Sequence, residues 1–166
     1  MSATISETKK PTALTPLELQ QAALEYIKQT RWATLTTVRE DGAPVSRTIG
    51  GFAPDGLNVF FSTSKKSGKN RHIAKNKLVS FHFQHENQEL ATFKNVVVIG
   101  QIEEVAIYTD YQRAVDLLSA RSPRFKARIE KGETEDLALY LVRAKEIKYL
   151  NFANGVGPAA VQETIL

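Results

Sequence analysis

Three short stretches of this 166-residue chain carry side chains suited to holding a phosphate. Arg47 offers a planar fork of donors, Ser62 and Thr63 offer adjacent hydroxyls, and Ser67-Gly68-Lys69 offers a hydroxyl, an unencumbered backbone and an ammonium. With Arg47 on one strand, Ser62-Thr63 at the end of the next and Ser67 opening a helix, the amides of the first helical turn would complete an anion cradle. All the lysines of this region fall in one run, Lys65, Lys66, Lys69, Lys75 and Lys77 with Arg71 among them, that contains no Asp or Glu. Residues 1–80 hold 12 basic and six acidic side chains, residues 81–166 ten and 12, so the formal excess of four positive charges originates here.

Other chemistries fail on spacing. Ser64-Lys65-Lys66-Ser67-Gly68-Lys69-Asn70 lacks the leading Gly and trailing Ser or Thr of a nucleotide-triphosphate loop. Gly155-Val156-Gly157-Pro158 comes too late to open a dinucleotide-binding βαβ unit and reads as a turn. His82 and His85, three apart on a strand, point to opposite faces and cannot share a metal. The hydroxyls have no paired His and Asp to activate them, so no catalytic residue is assigned and no metal is expected. With no Cys, thiolate chemistry and disulfides are excluded, and redox work would need a bound cofactor. The basic run lacks the interleaved aromatics that stacking of bases requires, so nucleic acid is not an expected partner. Residues 1–12 lack the apolar stretch of a signal peptide and are polar enough to read as a flexible tail, ahead of one domain over 13–166. The lack of a signal-type apolar stretch points to a cytoplasmic location, and no run approaches the roughly 20 apolar residues that span a bilayer, so no membrane partner is expected.

The elements that would position these groups can be read from the pattern. Thr15-Pro16-Leu17-Glu18 is a capping box that starts a helix over Pro16–Gln29. Strands are predicted at 32–38 and 44–52, then 57–62, with turns at Glu40-Asp41-Gly42 and Ala53-Pro54-Asp55-Gly56. This spacing predicts an antiparallel meander. A short helix follows from Ser67 to Lys75, then strands at 78–84 and 89–104, the latter with a bulge at Gly100. Helices at 108–121 and 124–131 precede a last strand at 137–152. Six sequential short-looped strands with few helices argue for a small antiparallel β-barrel, mainly β with peripheral helices, rather than a parallel doubly wound sheet.

The ordered set Trp32-Ala33-Thr34-Leu35-Thr36-Thr37-Val38, Asp41 to Ile49, Val59 to Ser64, Ser67-Gly68-Lys69 and Leu78-Val79-Ser80-Phe81 resembles the pyridoxamine 5′-phosphate oxidase-like family over about residues 20–105. The resemblance implies a six-stranded split β-barrel, a homodimer with flavin mononucleotide (FMN) at the subunit interface, and oxidoreductase activity on a small-molecule substrate. It would put Arg47 and Lys69 on the flavin phosphate, with Ser67, Lys66 and a hydroxyl from Ser62 or Thr63 assisting. The backbone of Arg47-Thr48-Ile49 would run along the ring, and Asn95 would stand where the family often has a Gln reaching the flavin. The chain also departs from the vitamin B6 oxidases. Phe52 occupies the place of a lysine, and the C-terminal Asn151-Phe152-Ala153-Asn154 lacks their substrate-recognising arginines. Flavin binding without vitamin B6 oxidation is therefore expected, with a non-catalytic or stress-associated flavin binder, or a relative holding deazaflavin or haem, as the alternatives.

Overall fold

The computed structural model describes residues 13–106 and 108–166, so the tail read over 1–12 lies outside the described residues. Among the described residues, eight antiparallel strands form one sheet: β1 (Ala33–Val38), β2 (Pro44–Ile49), β3 (Phe52–Asp55), β4 (Asn58–Ser64), β5 (Leu78–Gln84), β6 (Lys94–Glu104), β7 (Leu137–Asn151) and β8 (Val161–Ile165). The helices are α1 (Pro16–Gln29), α2 (Lys69–Lys75), α3 (Tyr108–Arg121) and α4 (Pro123–Glu130), and α1 carries the expected capping box at Thr15 and Glu18.

The strand order is β2-β1-β5-β6-β7-β4-β3, with β8 alongside β7. The two ends of this path, β2 and β3, are consecutive in sequence and joined only by Gly50-Gly51. A sheet whose outermost strands are two residues apart must curl round until its edges approach, which makes it a split barrel. The seam is tight: a Cβ at Gly50 would lie 2.6 Å from the Trp32 ring, and one at Gly51 2.9 Å from Ser62 Oγ, so either would push that side chain aside.

Three sequence expectations are corrected. The barrel has eight strands rather than six, because the predicted 44–52 strand breaks at Gly50-Gly51 into β2 and β3, and because Val161–Ile165 adds an edge strand. The meander is also broken, since β4 pairs with β3 and β7 and never with β2. The long strand 89–104 begins only at Lys94, after a 3-10 turn at Leu90–Thr92. The bulge at Gly100 is present. The β6–β7 register slips between Ile99 and Gly100, where a Cβ would sit 2.3 Å from the Arg143 carbonyl oxygen.

Strand alternation divides the core in two. Leu35, Phe52, Phe61, Phe81, Phe83, Val96 and Val98 fill the barrel interior, closed by Leu19, Ala23 and Ile27 of α1 and by Ile73 of α2. The opposite face of β3, β4 and β7 gives Ala53, Phe60, Leu139 and Leu141 to a second core beneath α3 and α4, completed by Ala114, Leu118 and Phe125. The two helices are thereby held beside the Gly50-Gly51 seam. Arg113 of α3 adds a paired contact to Asp55 of β3, with 2.5 Å from Nε.

Candidate functional site

Arg47 lies opposite Leu35 in the β1–β2 register, which puts it on the same face as that buried leucine. The residue diagonally across is Thr37, whose side chain follows Ala33 and Leu35 on the apolar face and is fully buried. Arg47 donates from Nη1 to Thr37 Oγ1 at 2.7 Å, and the same hydroxyl is 2.9 Å from His72 Nδ1 on α2. Burial alone lowers the guanidinium from its ordinary value.

Lys69, at the start of α2, is only 9% exposed, and its Nζ donates to Thr63 Oγ1 and Ser67 Oγ, each at 2.6 Å. Thr63 is presented by β4, two residues beyond buried Phe61 and therefore on the same face. Burial first, and the positive charge of Arg47 second, push the Lys69 ammonium below its ordinary value. Among the described residues neither Arg47 nor Lys69 has a carboxylate within ion-pairing distance. Two partly or wholly buried cations that feel one another and share only hydroxyls and an imidazole leave their positive charge uncompensated.

The loop ahead of α2 is pinned by groups the sequence reading did not single out. Ser64 Oγ donates to Asp136 at 2.6 Å, the Lys65 amide donates to the Asp136 carbonyl, and the Asn70 side-chain amide donates to the carbonyls of Ser64 and Lys65 at 3.1 and 2.7 Å. The Ser64 hydrogen bond is the main cause of the lowered Asp136 pKa. Helix α2 starts at Lys69 rather than Ser67, with Gly68 as its cap. The Asn70 and Arg71 amides already bond to the Ser67 and Gly68 carbonyls. The side chains therefore supply more of the cradle than the helix start does.

The other predicted residues divide between places. Ser62 and Thr63 point to opposite faces of β4, so only Thr63 meets Lys69, while Ser62 borders Gly51 at the seam. Lys66 is exposed and its charge bears on Asp136. Thr48 alternates with Arg47 and is exposed on the outer face, while Ile49 is buried inside. Asn95 pairs with Gln84 and Leu150, on the face opposite buried Val96, and is not brought to Arg47 within one chain. Thr37 and His72 are the members the sequence reading missed. The signal for Thr37 was legible, a polar residue at the third apolar position of an alternating strand; nothing local marked His72.

Beside the seam a groove of about 910 Å³ is bounded by Gly50, Gly51, Trp32 and Ser62 on the barrel side, and by Arg124, Arg128 and Lys131 on the α4 side. Among the described residues no helix is long and apolar enough to cross a membrane.

Residues 19–151 match the family model described as pyridoxamine 5′-phosphate oxidase. No curated protein matches the chain. Among solved structures, a heme binding protein from Mycobacterium smegmatis superposes with TM-score 0.73 at 15% identity, over 92% of this chain and 60% of that one. This chain thus spans about three fifths of that protein's length. A protein related to general stress protein 26, from Clostridium acetobutylicum, superposes with TM-score 0.65 at 14% identity, over 89% of this chain and 94% of that one. A heme storage protein from Vibrio cholerae superposes with TM-score 0.62 at 17% identity, over 76% of this chain and 90% of that one. At these identities the likeness establishes a common fold.

Proposed function

From the chain's membership of the pyridoxamine 5′-phosphate oxidase family, which the match over residues 19–151 establishes, we propose that it is a cytoplasmic FMN-binding oxidoreductase acting on a small molecule. The observation that carries this reading is the pair Arg47 and Lys69. Buried cations without a carboxylate are unfavourable in the free protein and become favourable when a phosphate dianion enters. The hydroxyls of Thr37, Thr63 and Ser67 already orient both cations. The donor set therefore fits the FMN phosphate, and Arg47, Lys69, Thr63 and Ser67 would hold it. A bound flavin supplies hydride transfer; the protein supplies position and polarity.

The reading includes a homodimer. The outer face of β2, β1, β5 and β6 carries half-exposed Thr34, Ser80, His82, Val97 and Ile99 with exposed Thr48, a surface of the mixed character that subunit interfaces use. Asn95 lies on this face and would reach the flavin bound mainly by a second copy.

The test is the visible spectrum of the purified protein, followed by titration with FMN. Flavin absorbance that is lost in the Arg47→Ala/Lys69→Met variant supports the reading. A colourless protein that takes up no added FMN overturns it. A haem reading rests on His82, half-exposed on the outer face with its pKa lowered by burial. A haem absorption band that appears with the wild type and disappears with His82→Ala would support that alternative.

A further inference from the structure

The 910 Å³ groove beside the Gly50-Gly51 seam is of the size that ligand sites occupy, and its charge is one-sided. Arg124, Arg128 and Lys131 line its α4 wall against a single lining acid, Glu133, with Asp136 near enough to feel the charge of Arg128. Among the described residues none of the three cations forms an ion pair. Arg128 is steadied by donating from Nε to the Glu133 carbonyl at 2.8 Å, and among the described residues its two Nη groups make no hydrogen bond. A helix C-terminus alone would account for one such cation. Three on the wall of one cavity, at positions i, i+4 and i+7, form a row about 10 Å long.

That length selects the ligand. One carboxylate or one phosphate engages one or two of these groups, whereas a bridged diphosphate with a further phosphate engages all three. The barrel side of the groove begins at Gly50, next to the Arg47-Thr48-Ile49 segment along which the flavin ring would lie. Phe52, where the vitamin B6 oxidases carry lysine, is buried in the barrel, so β3 contributes no cation and α4 provides the charge.

We propose that this groove is the docking site of a phosphorylated dihydronicotinamide dinucleotide, NADPH in preference to NADH, with its phosphates along Arg124, Arg128 and Lys131 and its nicotinamide toward the seam. The proposal deepens the flavoprotein reading and rests on it. In the reaction served, the C4–H bond of the dihydronicotinamide breaks and an N–H bond forms on the flavin. The hydride carries both electrons, so the nicotinamide is oxidised, the flavin is reduced, and a solvent proton completes it.

Trp32, the only tryptophan of the chain, borders the groove, so its fluorescence reports occupancy without turnover. NADP⁺ and NAD⁺ are titrated into the FMN-loaded full chain and into Arg128→Gln/Lys131→Gln, whose substitutions lie at a helix end outside both cores. The expected result is NADP⁺ bound at least tenfold tighter than NAD⁺, with that preference lost in the variant. Equal binding of the two nucleotides, or NADP⁺ affinity unchanged by the substitutions, overturns the proposal. Anaerobic flavin reduction supplies a second measurement. The ratio of rates with NADPH over uncharged 1-benzyl-1,4-dihydronicotinamide should fall at least tenfold in the variant; an unchanged ratio counts against the groove. A flavin that neither donor reduces removes the oxidoreductase reading instead, while the fluorescence titration still decides whether the groove binds the nucleotide.

Discussion

Two polar clusters of similar size sit on this barrel and differ in how completely their groups are matched. Around Tyr26 the phenol donates to the Lys94 carbonyl at 2.6 Å and accepts from the His85 amide at 2.9 Å and the Gln88 side chain at 3.1 Å. Gln88 also accepts from the Lys94 amide, and the His85 ring stacks on Tyr26 with centroids 3.7 Å apart. Donors and acceptors balance, with no formal charge buried. Around Arg47 and Lys69 the inventory is lopsided, with two cations, three hydroxyls, one imidazole and no carboxylate. The first cluster ties α1 to the β5–β6 connection and is complete in itself. The second is complete only with an anion, and this imbalance separates a binding site from a structural network.

Removing one member should therefore cost stability in the first cluster and cost none in the second. Tyr26→Phe leaves the His85 amide without its partner and the Lys94 carbonyl with the Gln88 side chain alone. It should destabilise the protein by about 1–3 kcal/mol in chemical denaturation while leaving FMN affinity intact. Lys69→Met removes a buried uncompensated charge. It should leave the flavin-free protein unchanged or stabilise it by up to about 1 kcal/mol, and it should also abolish the rise in melting temperature that FMN gives the wild type. A Lys69→Met protein that unfolds much more easily would mean that the cluster is structural after all.

The smallest effect is a pH dependence. Thr37 Oγ1 accepts from Arg47 and pairs with His72 Nδ1, and Arg47 Nη2, which can only donate, lies 3.5 Å from the same ring nitrogen, so the cluster suits an unprotonated Nδ1. Burial first, then Arg47, Arg39 and Arg71, lower the His72 pKa, against a raising influence from Asp41. A depressed folded-state pKa means that the unfolded chain binds the proton more readily. The stability contributed by neutral His72 is therefore full above its ordinary value near 6.5 and is lost as pH falls below it toward the folded-state value. His72→Gln should flatten that part of the flavin-free protein's stability profile; an identical profile would disconnect His72 from the cluster.

Much of this organisation was legible in the sequence, and the failures have physical causes. The capping box at Thr15 and the bulge at Gly100 are local signals, and both appear where local chemistry puts them. The ordered strand and loop motifs marked the barrel because turns and alternation are short-range. The pairing of β4 with β7 rather than with β2 was not legible, because the seam follows from closure of the whole sheet. Gly50-Gly51 inside an apolar run was the available hint. In the candidate site, Arg47, Thr63, Ser67 and Lys69 converge. Ser62 and Asn95 fall on other faces because strand parity, one residue either way, decides the side of the sheet on which a group appears. His72 was hidden because its partner Thr37 is 35 residues away.

The hold of Arg47 and Lys69 on a flavin phosphate is measured by comparing the affinities of the wild-type protein for FMN and for riboflavin, which has the same ring and no phosphate. Two charge-assisted hydrogen bonds of about 1.5 kcal/mol or more each predict FMN bound at least about 100-fold more tightly. Riboflavin binding within a factor of about three of FMN would contradict the account, since the phosphate would then contribute almost nothing.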